Sequence, residues 1–178
     1  IIAPSHGIIW RDNPLQIVEK YQQWARQDPE PRAVILYDTM WEGTRLMAEA
    51  IGDGLAKEGV DHKILQMAVT DRNDALVEVF RARTVIVGSP TLNNGILPTI
   101  SPILIDLKGL KFQNKIGAAF GTYGWSGESV QLIEDHLTDC GFPIAAPGIR
   151  AKWQPTAEDL AACRDFGQAL ATKTKGSN

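Results

Sequence analysis

An α/β domain on a parallel sheet with right-handed crossovers is the fold this sequence predicts, and three observations carry it. Short apolar runs alternate with helical segments five times between Arg32 and Lys173, the pattern of repeated βα units. The runs Arg32–Tyr37 and Thr84–Gly88 are nearly continuous in apolar residues, as strands buried on both faces are. The segments between the runs carry apolar residues three and four apart, as in Met47, Ile51 and Leu55, which is one face of a helix.

The elements follow in order. Residues 1–13 are irregular, broken by Pro4, Gly7 and Asn13, and Ile1-Ile2 reads as the end of a strand. Pro14–Arg26 is a connecting helix with Asn13 as its N-cap and Pro14 at the first helical position. Asp28-Pro29-Glu30-Pro31 is a linker, and the domain boundary falls there. Strand one is Arg32–Tyr37, and a helix from Thr44 to about Lys57 ends at Gly59. Strand two, His62–Ala68, is less apolar and therefore an edge. Asp71–Phe80 is helical, Thr84–Gly88 is strand three, and Pro98–Asp106 is a helix opened by proline. Lys115–Gly121 is strand four and Ser126–Cys140 a helix. Residues 142–150 form an irregular fifth strand, and Pro155–Lys173 is the last helix, leaving a frayed tail to Asn178.

Composition bounds the function. At 178 residues, 44% hydrophobic and 22% charged, the chain is an ordinary globular domain. A net charge of −3 argues against nucleic acid and anionic membranes as partners. No apolar run reaches the ~20 residues of a membrane span. Cys140 and Cys163 lack CxxC or metal-ligand spacing and read as reduced, packed thiols of a cytoplasmic protein.

The chemistry is expected in the loops at the carboxyl ends of strands one, three and four, where open α/β sheets bind ligands. The first, Thr39-Met40-Trp41-Glu42-Gly43-Thr44, leads into a helix. Helix N-terminal N–H groups, two threonine hydroxyls and a close backbone approach at Gly43 suit a phosphate. Neither GxGxxG nor GxxxxGK[ST] occurs here, against a Rossmann or P-loop site. The second loop, Ser89-Pro90-Thr91-Leu92-Asn93-Asn94-Gly95, offers backbone groups to the polar edge of a heterocycle. The third, Gly121-Thr122-Tyr123-Gly124-Trp125-Ser126-Gly127, offers aromatic faces to a planar ring. Alone, the first two also read as plain turns and the third as an aromatic seal at the domain edge. Together they converge on one end of one sheet.

These residues carry a resemblance. Ala3–Arg11, Tyr37–Trp41, Gly88–Pro98, Gln113-Asn114-Lys115 and Ala119–Gly127, in this order and spacing, make the chain similar to the flavodoxin-like half of flavodiiron proteins, flavorubredoxins included. The resemblance implies a flavodoxin-like fold, a five-stranded parallel sheet of order 2-1-3-4-5 with helices on both faces, and one noncovalent FMN. It implies phosphate binding by residues 39–44, with residues 89–95 and 121–127 on either side of the isoalloxazine. Which of Asn93, Asn94 or Gly95 sets a carbonyl beside flavin N5 stays open. Residues 1–13 resemble the end of a preceding metallo-β-lactamase-like diiron domain, in which His6 would be an iron ligand; no diiron centre is expected in this chain. The domains implied are thus 1–13, a connector 14–31, the FMN domain 32–173 and a tail 174–178.

The function implied is electron transfer within a flavodiiron oxygen or nitric oxide reductase. The donor would be rubredoxin or an NAD(P)H-dependent reductase, the acceptor the diiron domain, and the parent a head-to-tail homo-oligomer. Asp38, Glu42 and Glu128, with no Lys or Arg inside the loops, are expected to lower the flavin potential. The alternatives are a free-standing NAD(P)H:quinone-type or nitroreductase-type oxidoreductase of the same fold, and a flavin-free interaction module such as a receiver.

Overall fold

A computed structural model of the chain describes residues 1–176. The parallel sheet comprises β1 (Glu30–Tyr37), β2 (His62–Gln66), β3 (Ala82–Gly88), β6 (Ile116–Tyr123) and β7 (Ile149–Lys152), in the order β2-β1-β3-β6-β7. Counting only these five strands, this is the expected 2-1-3-4-5 order. In register, Ile35 lies beside Ile64 and Ile86, Ile86 beside Ala118, and Phe120 beside Ile149. Strands β4 (Thr91–Leu92) and β5 (Gly95–Ile96) form a small separate hairpin.

Alternation along the strands divides the core into two layers. Ile35, Tyr37, Ile86 and Phe120 face α2 (Gly43–Lys57) and α6 (Ala157–Lys175), packing on Met47, Ile51, Leu55 and Leu170. Val34, Leu36, Val85 and Val87 face α3 (Arg72–Arg81), α4 (Ser101–Leu110) and α5 (Ser129–Asp139), packing on Val79, Ile103, Leu107 and Ile133. Helices α2 and α6 cross almost backbone to backbone. A Cβ on Gly54 would sit 2.1 Å from the Arg164 carbonyl oxygen, and one on Gly167 2.2 Å from that of Ile51.

Several boundaries differ from expectation, each for a local reason. Strand β1 begins at Glu30, not Arg32, because Glu30 pairs with Ala82 ahead of an irregularity that accommodates Pro31. The linker expected over 28–31 therefore ends at Pro29. Helix α1 (Leu15–Arg26) is not capped by the Asn13 side chain; only the Asn13 backbone carbonyl is used, accepting from the Gln16 N–H at 3.2 Å. Helix α4 starts at Ser101 rather than Pro98, since Leu97–Ile100 closes a turn first. The fifth strand is delayed. Residues 143–145 hydrogen-bond to β6 at Gly117, the chain leaves the sheet at Pro147-Gly148, and β7 then pairs from Ile149.

Helix α6 opens on a Thr156/Asp159 capping box and runs to Lys175, so the fraying expected after Lys173 does not occur there. Buried Thr174 donates to the Leu170 carbonyl at 2.8 Å and shares a 2.6 Å hydroxyl contact with Thr84. The rest of the expected tail, residues 177–178, lies outside the described residues.

The connector is fastened at its end. No residue of α1 is buried. Gln27, in a left-handed conformation, accepts from the Gln113 N–H through its side chain (2.8 Å) and from the Asn114 amide through its carbonyl (3.2 Å). The adjoining Lys115 ammonium is buried and donates to the carbonyls of Phe80 and Ala82, capping the C-terminus of α3. Burial lowers the Lys115 pKa to about 8.

Candidate functional site

The carboxyl ends of β1, β3, β6 and β7 surround an open cleft of about 490 Å³. That is within the range of cofactor sites. Each wall follows from the loop that makes it.

The first loop leaves β1 at Asp38. Its buried carboxylate accepts from the Thr39 N–H (2.9 Å), the Gln66 amide (3.2 Å) and the Thr99 hydroxyl. Asp38 is thus turned toward β2 and the turn before α4, and it does not line the cleft. Met40, Trp41 and Gly43 do. Glu42 takes a left-handed conformation and turns outward onto Arg45, which also pairs with Glu49. Both carboxylates raise the Arg45 pKa. The acidic side chain in this loop therefore carries its own counter-ion.

Thr44 is buried, and its hydroxyl meets that of Thr122 at 3.0 Å, tying the first loop to the third. No side chain caps the N-terminus of α2. The Thr39 hydroxyl oxygen is buried with no hydrogen-bond partner among the described residues. An uncapped helix start beside an unsatisfied hydroxyl is an arrangement that suits an anionic group.

The second loop is the β4–β5 hairpin. Asn93 and Asn94 both have positive φ (50° and 57°), as a type I′ turn requires, and they stand exposed at its tip. Asn93, Asn94 and Gly95 do not line the cleft, whereas Pro90 and Thr91 do. Ser89 is a buried brace, donating to the Pro90 carbonyl and accepting from the Leu97 N–H, each at 2.8 Å.

In the third loop, Thr122, Tyr123, Gly124 and Trp125 line the cleft. Gly121, Ser126 and Gly127 support them instead. A Cβ on Gly121 would lie 2.1 Å from the Ser89 carbonyl oxygen, and Gly127, at φ 83°, would place one 3.1 Å from the Tyr123 ring. The Ser126 hydroxyl donates to Glu128 at 2.7 Å.

Two wall residues lie outside the three loops, and a third residue, Arg150, supports the third loop without lining the cleft. Trp153 and Gln154, just past β7, complete the cleft. Arg150 of β7 reaches the Gly127 carbonyl at 3.3 Å and stands 6.0 Å from the Tyr123 ring centre. The sequence signal was present: an aromatic residue directly after the fifth strand, at the end where ligands bind. No Lys or Arg lies inside the three loop segments; Arg45 and Arg150, just outside them, add positive charge beside the acidic groups.

Among the described residues, no group of three or more His, Cys, Asp or Glu is placed to hold a metal ion. His6 is exposed on a shallow groove between residues 2–10 and α1. No described helix is long and apolar enough to cross a membrane.

A doubly wound parallel sheet with an aromatic-walled cleft at its carboxyl edge and an uncapped helix start beside it defines a nucleotide-cofactor-binding α/β domain. The flavodoxin family matches residues 35–167, and the chain belongs to that family, whose cofactor is FMN. The chain is 48% identical over 173 residues to a nitric oxide reductase of Moorella thermoacetica, covering 97% of this chain and 43% of that protein. Among solved structures it resembles rubredoxin oxygen:oxidoreductase of Desulfovibrio gigas (39% identity, TM-score 0.88, 92% of this chain and 41% of that one). It also resembles the flavodiiron protein of Giardia intestinalis (28% identity, TM-score 0.89, 94% and 42%). The chain thus spans less than half the length of each of these relatives.

Proposed function

We propose that this chain is the FMN-binding electron-transfer domain of a flavodiiron-type oxygen or nitric oxide reductase. The observation that carries the reading is the cleft itself: aromatic walls on the third loop face Met40, Trp41 and Gly43 at an uncapped helix N-terminus, and the unpartnered Thr39 hydroxyl lies buried at the root of that same first loop, outside the cleft lining. Thr39 and the backbone from Glu42 to Thr44 would hold the phosphate. Pro90 and Thr91 would form one wall for the ring system, and Tyr123 and Trp125 the other.

Bound FMN supplies storage for one or two electrons. The residues orient it, and their apolar surface displaces water from its faces. Asn93, Asn94 and Gly95 stand at the hairpin tip, where a backbone carbonyl can approach the edge of a ring extending past Thr91. Glu42 and Glu128 keep negative charge near the site, tempered by Arg45 and Arg150.

The names of the relatives support nitric oxide or oxygen as the terminal acceptor and rubredoxin as a donor. In the parent, electrons would pass from rubredoxin or an NAD(P)H-dependent reductase, through this domain, to a diiron domain in which His6 is a ligand. The parent would be a cytoplasmic head-to-tail homo-oligomer with residues 1–13 belonging to the diiron domain, 14–31 to the connector and 32–173 to the FMN domain.

Stopped-flow mixing tests this role. The FMN-loaded chain is expected to be reduced by reduced rubredoxin and to show no NAD(P)H:quinone turnover by itself. Rapid NAD(P)H oxidation coupled to quinone, with no response to rubredoxin, would identify a free-standing oxidoreductase instead.

A further inference from the structure

The turn after β7 does more than fill a gap in the wall. Trp153 has φ 59°, a left-handed conformation that a bulky side chain rarely takes and that persists only where its surroundings hold it. Its N–H donates to the Tyr123 carbonyl at 2.8 Å. Its ring meets that of Trp125 edge to face, with centroids 5.1 Å apart at 69°. Gly124 permits this approach, since a Cβ there would lie 3.2–3.5 Å from the Trp153 ring. On the other side, the Gln154 side-chain amide donates to the Trp41 carbonyl. The Trp153 carbonyl oxygen lies 3.3 Å from where a Cβ on residue 43 would be. One two-residue turn therefore holds the first loop with one hand and the third with the other. At the floor these loops are joined by the Thr44–Thr122 hydroxyl pair.

We propose that Trp153 and Gln154 form a strap that ties the two cofactor loops together across the cleft and sets how fast FMN leaves. The inference rests on the FMN reading above. The Gln154–Trp41 hydrogen bond and the Trp153–Trp125 contact are made before the cofactor arrives and hold both walls at the spacing that grips it; without them the walls must be ordered on binding, and the weaker grip shows mainly as faster release. The strap is thus a positioning device acting chiefly on the dissociation rate. The strained backbone of Trp153 keeps its ring in place before the cofactor arrives, so association needs no rearrangement of the turn.

The test is the rate of FMN release from the loaded chain, read as recovery of flavin fluorescence on dilution, for the wild type and four variants. Trp153→Ala removes the ring and keeps the strain; Trp153→Gly removes both. Both are expected to release FMN about tenfold faster, the size of a lost aromatic contact, with the association rate changed less than twofold. Trp153→Phe is expected to stay near the wild-type rate. Gln154→Leu, at an exposed position, is expected to speed release as well. Wild-type release rates in Trp153→Gly and Gln154→Leu would overturn the strap. An effect confined to association would overturn it too. Failure of the wild-type chain to take up FMN at all would instead overturn the cofactor reading, and the strap with it.

Discussion

Thr39 shows how much one atom contributes to the account. A buried hydroxyl oxygen without a partner is costly in a folded domain, and one beside an uncapped helix start is a place for an anion to bind. Replacing it by the near-isosteric valine, Thr39→Val, is expected to weaken FMN binding about tenfold, the loss of one hydrogen bond to a charged group. Riboflavin, which lacks the phosphate, should bind both forms equally in fluorescence titrations. The same loss for riboflavin would show that Thr39 shapes the ring site rather than the phosphate site. Residue types in the first and third loops were legible because threonine, glycine and tryptophan are chemically suggestive at strand ends. Their division of labour was not. The side chains of Thr44 and Ser89 and the close backbone approach at Gly121 brace the loops against one another, a role beside the ligand contacts that their types suggest. Sequence spacing does not tell a hydroxyl facing a cleft from one facing a neighbouring loop. The outward turn of Glu42 depends on Arg45 three residues on, which the sequence displays, and on a positive φ, which it does not.

At the level of elements, buried strands were the most legible. Strands β1 and β3 are central and apolar on both faces, so their runs are continuous. Strand β7 was obscured because its four residues alternate in exposure at the sheet edge and follow the Pro147-Gly148 break. Its late start is what carries Trp153 and Gln154 to the cleft mouth, so the wall residues were missed together with the strand boundary. The glycines of α2 and α6 have a structural reading that composition conceals. Gly54 and Gly167 let the two helices approach until backbone meets backbone behind the sheet face that carries Phe120. Gly54→Ala forces its methyl group to within 2.1 Å of the Arg164 carbonyl if nothing moves. It is expected to destabilise the chain by about 2 kcal/mol through overpacking, despite the better helix propensity of alanine. Urea denaturation checks this, and an unchanged or higher midpoint would mean that α6 is free to shift.

For the whole molecule, the sheet order and the single ligand-binding edge follow from five βα units with right-handed crossovers. All the loops that matter lie at that edge. The opposite end is closed by ion pairs among Arg32, Glu78, Lys63 and Asp61 and by the Lys115 cap. One end therefore stabilises while the other is left open for chemistry. The connector, fastened through Gln27 and Glu30, sits beside that closed end. The central claim is that the open end is an FMN site, and the measurement that tests it most directly is the visible spectrum and flavin content of the purified chain titrated with FMN. The account predicts flavin absorption near ~450 nm, saturating at about one FMN per chain, with the flavin fluorescence quenched by the aromatic walls. A colourless chain that leaves the spectrum and fluorescence of added FMN unchanged would contradict it.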